Sequence, residues 1–491
     1  MNNTRTDFDL VVVGGGPAGS TLATFVAMQG HRVLLLEKER FPRHQIGESL
    51  LPATVHGICP LLGISEEIKQ ANFMRKMGGT FRWGKNSSPW TFNFSTSSKM
   101  VGPTGFAYQV ERSKFDSILL NNARKKGVEV QEQKLVTGIE TQGERVRGVR
   151  FTDDAGNAHT VSCKYVADSS GNSSRIYEKT GERIYSKFFE NVALFGYYSN
   201  GKRLPSPNQG NILCAAFDGG WFWYIPLTDE LTSVGAVVSR EKAGQLRAGR
   251  ENAMHEFISE CPLIREYLKD AQRVTEGPYG KLRVRMDFSY CCTRFWSPGM
   301  MLVGDAACFV DPVFSSGVHL ATYSGLLAAR SVNSCLRGDI DEHTAFNEFE
   351  LRYRREYGNF YRFLVAFYDM NQDKESYFWS ARKVLNSEDK ANEAFIRLVA
   401  GIGASREPLF ENSTDFFDVM GTIGDSFKSA SSIPGEFDQT KLDRDFMVGF
   451  TKEINHIQLQ AMTKRRLTET PFWDKGLVPT ADGLHWQTAA V

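Results

Sequence analysis

The stretch that decides the fold is residues 9–38, DLVVVGGGPAGSTLATFVAMQGHRVLLLEK. It opens with an apolar run over 9–13, the kind of segment that forms a buried parallel strand. After the glycines, the spacing of apolar residues predicts a helix over 17–29 that ends at Gly30, and 32–37 predict a second buried strand. Strand, glycine-rich turn, helix and strand in such short succession predict a βαβ unit.

Three glycines in the turn, Gly14, Gly16 and Gly19, follow the pattern G-x-G-x-x-G. The first permits a tight turn, the second lets the backbone approach a pyrophosphate, and the third lets the helix pack closely on the strand. The helix N-terminus adds a positive dipole. Glu37 closes the second strand, where its carboxylate can accept hydrogen bonds from a ribose. The pattern predicts a dinucleotide site but does not distinguish NAD from FAD.

The composition of the chain bounds its organisation and its partners. Its 491 residues exceed what one hydrophobic core usually supports, so we expect two or three packed domains. A net charge of +1 gives no reason to expect nucleic acid as a partner. The 8 cysteines form no Cys-x-x-Cys pair and the 9 histidines no His-x-x-x-His spacing, so we expect no metal site. No apolar run approaches membrane-spanning length and the N-terminus leads straight into a strand, so we expect a cytoplasmic protein without a membrane span.

Two further segments separate the two cofactors. Val110, Arg112, Phe115 and Asp116 form a V-x-R-x-x-F-D pattern, and the sequence Gly-Asp-Ala at 304–306 follows a late strand. Both resemble segments of the FAD-dependent monooxygenase superfamily, in which the arginine contacts the FAD. The resemblance implies that FAD is bound by a set of residues that also includes the aspartate of VADSSG: Gly14, Gly16, Pro17, Ala18, Gly19, Glu37, Lys38, Arg43, Glu48, Ser49, Arg112, Asp168, Asp305, Pro312, Gly317 and Val318.

The same resemblance implies an α/β architecture. We expect a Rossmann-like FAD-binding domain of a GR2-type flavoprotein, an inserted β-rich substrate domain and a mostly helical C-terminal region. The predicted boundaries are 1–75, 105–185 and 280–340 for the FAD-binding domain, 76–104 and 186–279 for the β-rich domain, and 341–491 for the C-terminal region. Aromatic residues at helical spacing begin that last region, and they predict an ordinary core, a cover over the active site or a surface for a carrier protein.

The segment 312–317, PVFSSG, leads into a long apolar helix predicted over 317–336. Backbone N–H groups at the start of that helix face the expected flavin. A positive helix end there would stabilise an anionic reduced flavin, and equally a small anion such as chloride. Ser316 and Gly317 are therefore the candidate halide-binding residues, with an ordinary capped helix as the alternative.

Two features resemble flavin-dependent halogenases in particular. The first is the W-x-W-x-I-P pattern of Trp221, Trp223, Ile225 and Pro226, which in an extended strand would place two indoles and an isoleucine on one face. The second is Lys76 in KMGGTFRWG, a context similar to that of the essential halogenase lysine. The alternative interpretations are structural: a strand whose aromatic residues pack in the core, and a lysine that is exposed to solvent. The resemblance favours a tunnel wall and a catalytic amine.

The resemblance implies a reaction. Reduced FAD (FADH2) reacts with O2 to give a C4a-hydroperoxide, and chloride or bromide attacks its distal oxygen to release hypohalous acid. That acid moves through the interior to Lys76, which delivers electrophilic halogen to an electron-rich ring. The implied partners are a separate NAD(P)H-dependent flavin reductase and an aromatic substrate. The similarity is expected to cover residues 8–370.

One departure narrows the expected substrate. Tryptophan halogenases carry a glutamate in a Pro-x-Glu-Ser-x-Gly stretch, whereas Phe314 stands there in this chain, which is also shorter than is usual for them. The sequence therefore looks more like phenol and pyrrole halogenases, some of which act on carrier-bound substrates, and a phenolic or tyrosyl ring is expected. Glu48 is a candidate general base, with a structural role beside the flavin as the alternative.

Three other interpretations compete with halogenation. An aromatic hydroxylase would use the same superfamily fold, and a geranylgeranyl-reductase-like flavoenzyme would share the N-terminal segments. Lys76 and the double-tryptophan motif favour a halogenase over the first. A flavin-binding protein without catalytic activity is the third, and turnover with reduced FAD, O2 and chloride would separate it from the enzymes.

Overall fold

The computed structural model describes residues 6–83, 89–96, 104–369 and 476–488. Its strands in chain order are β1 (Phe8–Val13), β2 (Val33–Leu36), β3 (Met74–Lys76), β4 (Gly78–Arg82), β5 (Trp90–Asn93), β6 (Ala107–Gln109), β7 (Glu129–Gln131), β8 (Leu135–Gln142), β9 (Arg145–Thr152), β10 (Ala158–Asp168), β11 (Arg183–Ser199), β12 (Ile212–Phe217), β13 (Gly220–Pro226), β14 (Leu231–Ser239), β15 (Gln272–Arg273), β16 (Arg283–Cys292), β17 (Trp296–Ser297), β18 (Met300–Leu302), β19 (Cys308–Phe309), β20 (Leu477–Pro479) and β21 (Trp486–Thr488). Its α-helices are α1 (Pro17–Ala27), α2 (Cys59–Leu62), α3 (Ser65–Gln70), α4 (Arg112–Lys125), α5 (Arg250–Glu260), α6 (Pro262–Tyr267), α7 (Gly317–Arg337) and α8 (Glu342–Asp369).

The first sheet contains the predicted βαβ unit. Its strand order is β17-β18-β10-β1-β2-β7, and β1 pairs in parallel with both β2 and β10. The β1 side chains Leu10, Val11 and Val12 are fully buried, as expected for a parallel strand covered on both faces. Helix α1 returns the chain from β1 to β2 and packs against α7, where a methyl group on Gly325 would lie 2.8 Å from the Ala18 carbonyl oxygen.

Two positions of the β1–α1 turn require glycine, each for a different physical reason. Gly14 has φ +102°, a left-handed conformation that favours glycine. A Cβ on Gly19 would lie 2.0 Å from the Gly14 carbonyl oxygen and 2.4 Å from Ser169 Oγ. The third glycine of the pattern therefore allows α1 to approach both its own turn and the end of β10.

The second sheet holds the β-rich region, in the order β19-β16-β11-β14-β13-β12-β4-β5. The predicted domain boundaries stay a prediction, but this sheet draws its strands from more than one of the predicted ranges. Strands β16 and β19 were assigned to the FAD-binding domain within 280–340, but β16 pairs with β11 and with β19 in this sheet. The predicted cut after residue 75 also falls inside β3, which pairs with β6. Long-range strand pairing, which no local pattern reports, decides these memberships.

The C-terminal region is helical only in its first described part. Helix α8 buries the predicted aromatic stripe completely or nearly so, and these side chains form ordinary core: Phe346, Phe349, Tyr353, Tyr357 and Phe360. The described segment 476–488 contains a β-hairpin of β20 and β21, which the sequence pattern did not predict. The rest of that region, 370–475 and 489–491, lies outside the described residues.

Trp486 fixes the hairpin to α7 and α8. Its side chain is 1% exposed, its backbone N–H donates to Ser334 Oγ at 2.8 Å, and its Nε1 donates to Ser331 Oγ at 2.8 Å. The guanidinium groups of Arg330 and Arg352 lie over the indole, 5.2 Å and 4.7 Å from a ring centroid.

Among the described ranges, no helix has the length and apolar character needed to cross a membrane.

Candidate active site

A cavity of about 730 Å³ lies between the two sheets. One end is lined by the β1–α1 turn and the end of β2, and the other by β13 and the segment before α7. Most of the predicted cofactor residues line it: Gly14, Gly16, Pro17, Ala18, Glu37, Lys38, Arg43, Glu48, Ser49, Arg112, Asp305, Pro312, Gly317 and Val318. Residues from distant parts of the sequence are thus brought to one elongated space.

The dinucleotide end is organised by Glu37, which is 4% exposed. Its Oε2 accepts a hydrogen bond from the Gly15 N–H at 2.7 Å, and its Oε1 accepts one from the Glu39 N–H at 2.8 Å. The carboxylate is therefore held against the glycine turn by two backbone donors. Each oxygen keeps further acceptor capacity, which a ribose hydroxyl could use.

The V-x-R-x-x-F-D pattern builds an ion pair along α4. Arg112 and Asp116 stand one turn apart, and Arg112 donates to the Asp116 carboxylate from Nε at 2.7 Å and from Nη2 at 2.9 Å. Arg43 donates to the same carboxylate at 3.1 Å. Arg112 Nη1 also donates to the Ile46 carbonyl oxygen. The motif thus anchors the segment around residues 43–49 to α4, and it leaves both arginines at the cavity wall.

The two predicted aspartates occupy different positions. Asp305 lines the cavity, and burial raises the pKa of its carboxyl group to about 6. Asp168, by contrast, is not one of the cavity-lining residues in the described ranges. Its carboxylate accepts hydrogen bonds from the Ser170 N–H at 3.0 Å and from the hydroxyls of Ser170 and Ser174. In this structure Asp168 orders the loop that follows β10, and that loop lines the cavity; its contact with the cofactor stays a prediction.

The segment before α7 has space on its cavity side. Asp311 caps the turn by accepting a hydrogen bond from the Val313 N–H at 3.1 Å, and Ser315 adopts a left-handed conformation with φ +59°. A Cβ added to Gly317 would meet no atom within 4 Å. Ser316 is fully buried, and its Oγ has no hydrogen-bond partner among the described residues. Its two neighbours in the chain, Ser315 and Gly317, both line the cavity, whereas Ser316 is not a lining residue of the described ranges.

Strand β13 presents the W-x-W-x-I side chains together. Trp221, Trp223 and Ile225 all line the cavity, whereas Pro226 is buried at the end of the strand. The indole of Trp221 donates to the Tyr368 hydroxyl at 2.6 Å, and that of Trp223 to Ser233 Oγ at 3.2 Å. Both large rings are therefore fixed by one polar contact each.

Lys76 is buried, with 3% of its surface exposed, although it does not belong to the cavity-lining residues of the described ranges. Its Nζ donates to the Leu50 carbonyl oxygen at 3.0 Å and lies 5.6 Å from the centre of the Phe94 ring. Burial lowers the pKa of the Lys76 ammonium from 10.5 to about 7. A lysine in this environment exchanges readily between its charged and neutral forms near neutral pH.

Lys76 approaches the cavity wall at two points. Leu50, its hydrogen-bond acceptor, directly follows Glu48 and Ser49, which line the cavity. On the other side, the Cys214 thiol favours the charged form of Lys76 and lies with its Sγ 3.9 Å from the Val313 carbonyl oxygen. The acceptor of the Lys76 hydrogen bond is thus the chain neighbour of a cavity-lining residue, Ser49.

Sequence reasoning missed the partners of Glu48. This carboxyl group is 2% exposed, and burial raises its pKa to about 7. Tyr197 donates to Glu48 Oε1 at 2.7 Å, and His44 Nε2 lies 2.7 Å from the same tyrosine hydroxyl. These contacts join β11 to the segment after β2, so no local pattern could reveal them.

The sequence pattern also failed to identify two arginine side chains of β16 as part of the site. Arg283 and Arg285 line the cavity opposite the glycine turn. They stand two residues apart and share one face of the strand, so an alternation of charge along 283–285 was the signal available in the sequence. Together with Arg43 and Arg112, they give this part of the cavity wall a positive charge that suits a pyrophosphate.

The residues present fit a flavin dinucleotide. Glu37 and the glycine turn serve a ribose and a pyrophosphate, and the guanidinium groups balance the phosphate charge. Asp305 faces the middle of the cavity, and the open side of Gly317 accepts a flat ring without steric conflict.

Comparison with known proteins gives a consistent result. A profile described as tryptophan halogenase matches residues 9–103 and 96–429, so the similarity extends past the predicted limit at residue 370. The chain is 37% identical over 385 residues to a tryptophan 2-halogenase of Chondromyces crocatus, covering 77% of this chain and 71% of that one. It is 29% identical to the 1H-pyrrole-2-carbonyl-[peptidyl-carrier protein] chlorinase of Pseudomonas fluorescens, covering 74% and 84%.

Among solved structures, the myxobacterial chondrochloren halogenase, described as a variant of FAD-dependent halogenases, superimposes with a TM-score of 0.78 at 56% identity, covering 98% of this chain and 99% of that one. A second flavin-dependent halogenase superimposes with a TM-score of 0.74 at 29% identity, covering 99% and 84%. These likenesses confirm the predicted FAD-binding α/β fold. The chain therefore belongs to the tryptophan halogenase family of flavin-dependent halogenases and is an enzyme of the oxidoreductase type.

Proposed function

We propose that this enzyme uses FADH2, O2 and chloride or bromide to halogenate a phenolic or tyrosyl ring, free or bound to a carrier protein, with Lys76 delivering the halogen. The observation that carries the proposal is the amine of Lys76, which is buried behind the cavity wall with a pKa of about 7. Burying the charge of a lysine is energetically costly, so a lysine without a function is expected at the surface.

Bound reduced flavin, together with O2 and a halide, supplies the oxidised halogen as hypohalous acid. The chain holds the halide beside Ser316 and Gly317, at the N-terminus of the 21-residue helix α7. The buried Ser316 hydroxyl, which has no partner within the described part of the chain, supplies a donor for the anion. Trp221 and Trp223 close the opposite wall with their indoles, which keeps water and the aromatic substrate away from the flavin.

Lys76 acts on the far side of this wall. Its neutral amine can attack the halogen of hypohalous acid, forming an N–halogen bond as the halogen–oxygen bond breaks, and the hydroxide leaves as water with the proton lost from nitrogen. Its ammonium can instead donate a hydrogen bond to the oxygen of that acid. The Leu50 carbonyl oxygen orients Nζ in either form at 3.0 Å. Because the pKa is about 7, both forms are populated at physiological pH, and the side chain can exchange its proton during turnover.

The substrate class follows from the side chains around Lys76. Phe314 replaces the glutamate of the tryptophan-type stretch, and its ring packs 4.7 Å from that of Phe367 and 6.3 Å from that of Phe81. Phe92 and Phe94 extend this aromatic cluster towards Lys76. A ring lying here finds apolar faces where tryptophan halogenases supply a carboxylate, so it must be activated by its own substituent. A phenolic hydroxyl meets that need.

A separate flavin reductase is the proposed source of FADH2. Membership of the flavin-dependent halogenase family supports this source of reduced flavin. The name of the pyrrole-2-carbonyl chlorinase relative supports testing carrier-bound substrates beside free ones.

The decisive experiment incubates the protein with FAD, a flavin reductase, NADH and either chloride or bromide, and identifies products by mass spectrometry. Candidates are free phenols, tyrosine, tryptophan, and phenolic and pyrrolyl groups tethered to a carrier protein. We expect the mass and isotope pattern of a monohalogenated phenol. Halogenation of tryptophan or a pyrrole with none of any phenol would reject the proposed substrate class.

A further inference from the structure

Two buried thiols face each other across the β16–β19 pair. Cys291 and Cys308 are directly opposite in the register and are 0% and 1% exposed. The Cys292 N–H donates to the Ala307 carbonyl oxygen at 2.8 Å, which makes that neighbouring pair the hydrogen-bonded one. Cys291 and Cys308 therefore form a non-hydrogen-bonded pair, the arrangement in which opposite side chains come closest.

The environment of Cys291 favours its thiolate. Arg354 Nη1 donates to Cys291 Sγ at 3.2 Å, and Arg354 Nη2 donates to the Cys292 carbonyl oxygen at 2.8 Å. Burial alone would raise the pKa of Cys291, but the Cys308 thiol and the Arg354 guanidinium lower it overall. The thiols of Cys59 and Cys335 behave in the opposite way, since burial raises their pKa to about 12. Reactivity towards an electrophile follows the thiolate form.

This pair lies next to the proposed source of oxidant. Phe309 and Val310, which immediately follow Cys308, line the flavin cavity, and so does Asp305 just before it. Cys308 therefore directly precedes a residue of the cavity wall, and the cavity is where a small neutral oxidant would arise.

We propose that Cys291 and Cys308 are an oxidation site that consumes hypohalous acid when no aromatic substrate takes it. The inference rests on the proposed function, because that function supplies the oxidant. The pair protects the flavin-side core from halogenation by closing into a disulfide.

The reaction balances without another reagent. The Cys291 thiolate attacks the chlorine of hypochlorous acid, forming an S–Cl bond and breaking the Cl–O bond. The Cys308 sulfur then displaces chloride, and its proton joins the departing hydroxide. The sum is one thiolate, one thiol and HOCl giving a disulfide, chloride and water. Each sulfur loses one electron, and chlorine is reduced from +1 to chloride, which the enzyme can use again.

The local geometry permits the bond. Opposite residues of an antiparallel pair have Cβ atoms about 4.5–5.5 Å apart, and a disulfide needs about 3.5–4.5 Å. The required approach is small, and β19 is only two residues long, so few ladder contacts resist it.

The test runs turnover without aromatic substrate, using FAD, flavin reductase, NADH, O2, chloride and catalase to remove peroxide. The mixture is quenched in acid with a thiol-blocking maleimide, digested by trypsin without reductant and examined by mass spectrometry. We expect peptide 286–294 to be linked to peptide 295–330, which contains Cys308 as its sole cysteine. The link should disappear after dithiothreitol treatment and should not form when chloride is omitted. One equivalent of reagent hypochlorous acid, added to the resting enzyme, should give the same link.

Peptide 286–294 also contains Cys292, which supplies a matched control. Cys292→Ser should keep the link and Cys291→Ser should lose it, because neighbouring residues of a strand point to opposite faces. Fragmentation between the two cysteines of the wild-type peptide gives the same assignment without any variant, so a folding defect would not obscure the result.

The outcomes separate the two proposals. A link through Cys292, or no link with either source of acid, would overturn the inference. A link formed by reagent acid but absent after turnover that halogenates a phenol normally would also overturn it, because the acid then never reaches the pair. Failure to halogenate any electron-rich ring would instead reject the proposed function, whatever the thiols do with reagent acid.

Discussion

The cofactor end of the cavity and the Lys76 side are built on different physical principles. At the cofactor end, polar groups are matched within the chain: Glu37 holds two backbone N–H groups, and Asp116 holds two arginines. At the other side, Lys76 is buried with one hydrogen bond from its Nζ, to a backbone carbonyl, and no carboxylate neutralises it among the described residues. Glu37 and Asp116 keep their charges by pairing them. Burial shifts the pKa of the unpaired Lys76 instead, as it does for Glu48 and Asp305 at the cavity wall.

The difference teaches what each region can do. Paired charges and tight backbone turns bind a fixed ligand, because they have little freedom to change state. A single amine with a pKa of about 7 binds nothing strongly but can change its protonation state during a reaction. Binding and delivery of the halogen are thus expected to fail separately when either side is altered.

The largest expected effect comes from removing the amine. Lys76→Ala should retain FAD binding and hydrogen peroxide release from reduced flavin while losing about 10²–10⁴-fold in halogenated product, the range typical of an acid–base group. Product is measured by mass spectrometry and peroxide by a coupled dye assay. Arg75→Met is the matched control, because Arg75 is the exposed cation beside Lys76 on the same strand. Normal halogenation by Lys76→Ala would remove the distinction between the two regions.

A smaller effect is expected at the cofactor end. In Gly19→Ala, the new methyl group would lie 2.0 Å from the Gly14 carbonyl oxygen, so β1 and α1 must separate. Overpacking of about 1–3 kcal/mol corresponds to FAD binding weakened about tenfold to hundredfold. Fluorescence titration of the apoprotein measures this loss. Gly244→Ala, where a methyl group meets no atom within 4 Å, should bind FAD normally, and equal affinities of the two variants would contradict the packing argument.

The last prediction tests the same comparison through the pH dependence of the free energy of unfolding. The folded pKa of Lys76 is about 7 and the unfolded value is 10.5, so between these values the unfolded chain holds more protons. The free energy of unfolding of the wild type, relative to Lys76→Met, should therefore rise with pH in this window, by up to about 1.4 kcal/mol per pH unit. Urea unfolding of both proteins at several pH values between 7 and 10 gives the difference. A flat difference would mean that Lys76 keeps an ordinary pKa.

Local patterns predicted the cofactor end well, for a physical reason. The turn at Gly14–Gly19 and the pairing of Arg112 with Asp116 on α4 each depend on contacts within a few residues. Periodicity and spacing report such contacts directly. The helix predicted over 317–336 was likewise confirmed, as α7, with a difference of one residue at its end.

Other features depended on pairing between distant segments. The membership of β16 in the second sheet, the Tyr197–Glu48 contact and the hairpin of β20 and β21 join residues far apart in the sequence. Three residues of the predicted cofactor and halide set are not cavity-lining residues in the described ranges, but each stands beside one that is: Gly19, Asp168 and Ser316. A shift of one residue turns a side chain to the other face of a strand or turn, and sequence spacing does not fix that choice at irregular segments.

The sequence by itself determined that this chain binds a dinucleotide and shares its motifs with flavin-dependent halogenases, because those properties lie in short, contiguous stretches. Only the tertiary structure decided that Lys76 is buried against the Leu50 carbonyl oxygen and that Cys291 faces Cys308. Burial and strand register are properties of the folded chain: they arise when sheets from separate segments pack together and exclude water from the groups between them.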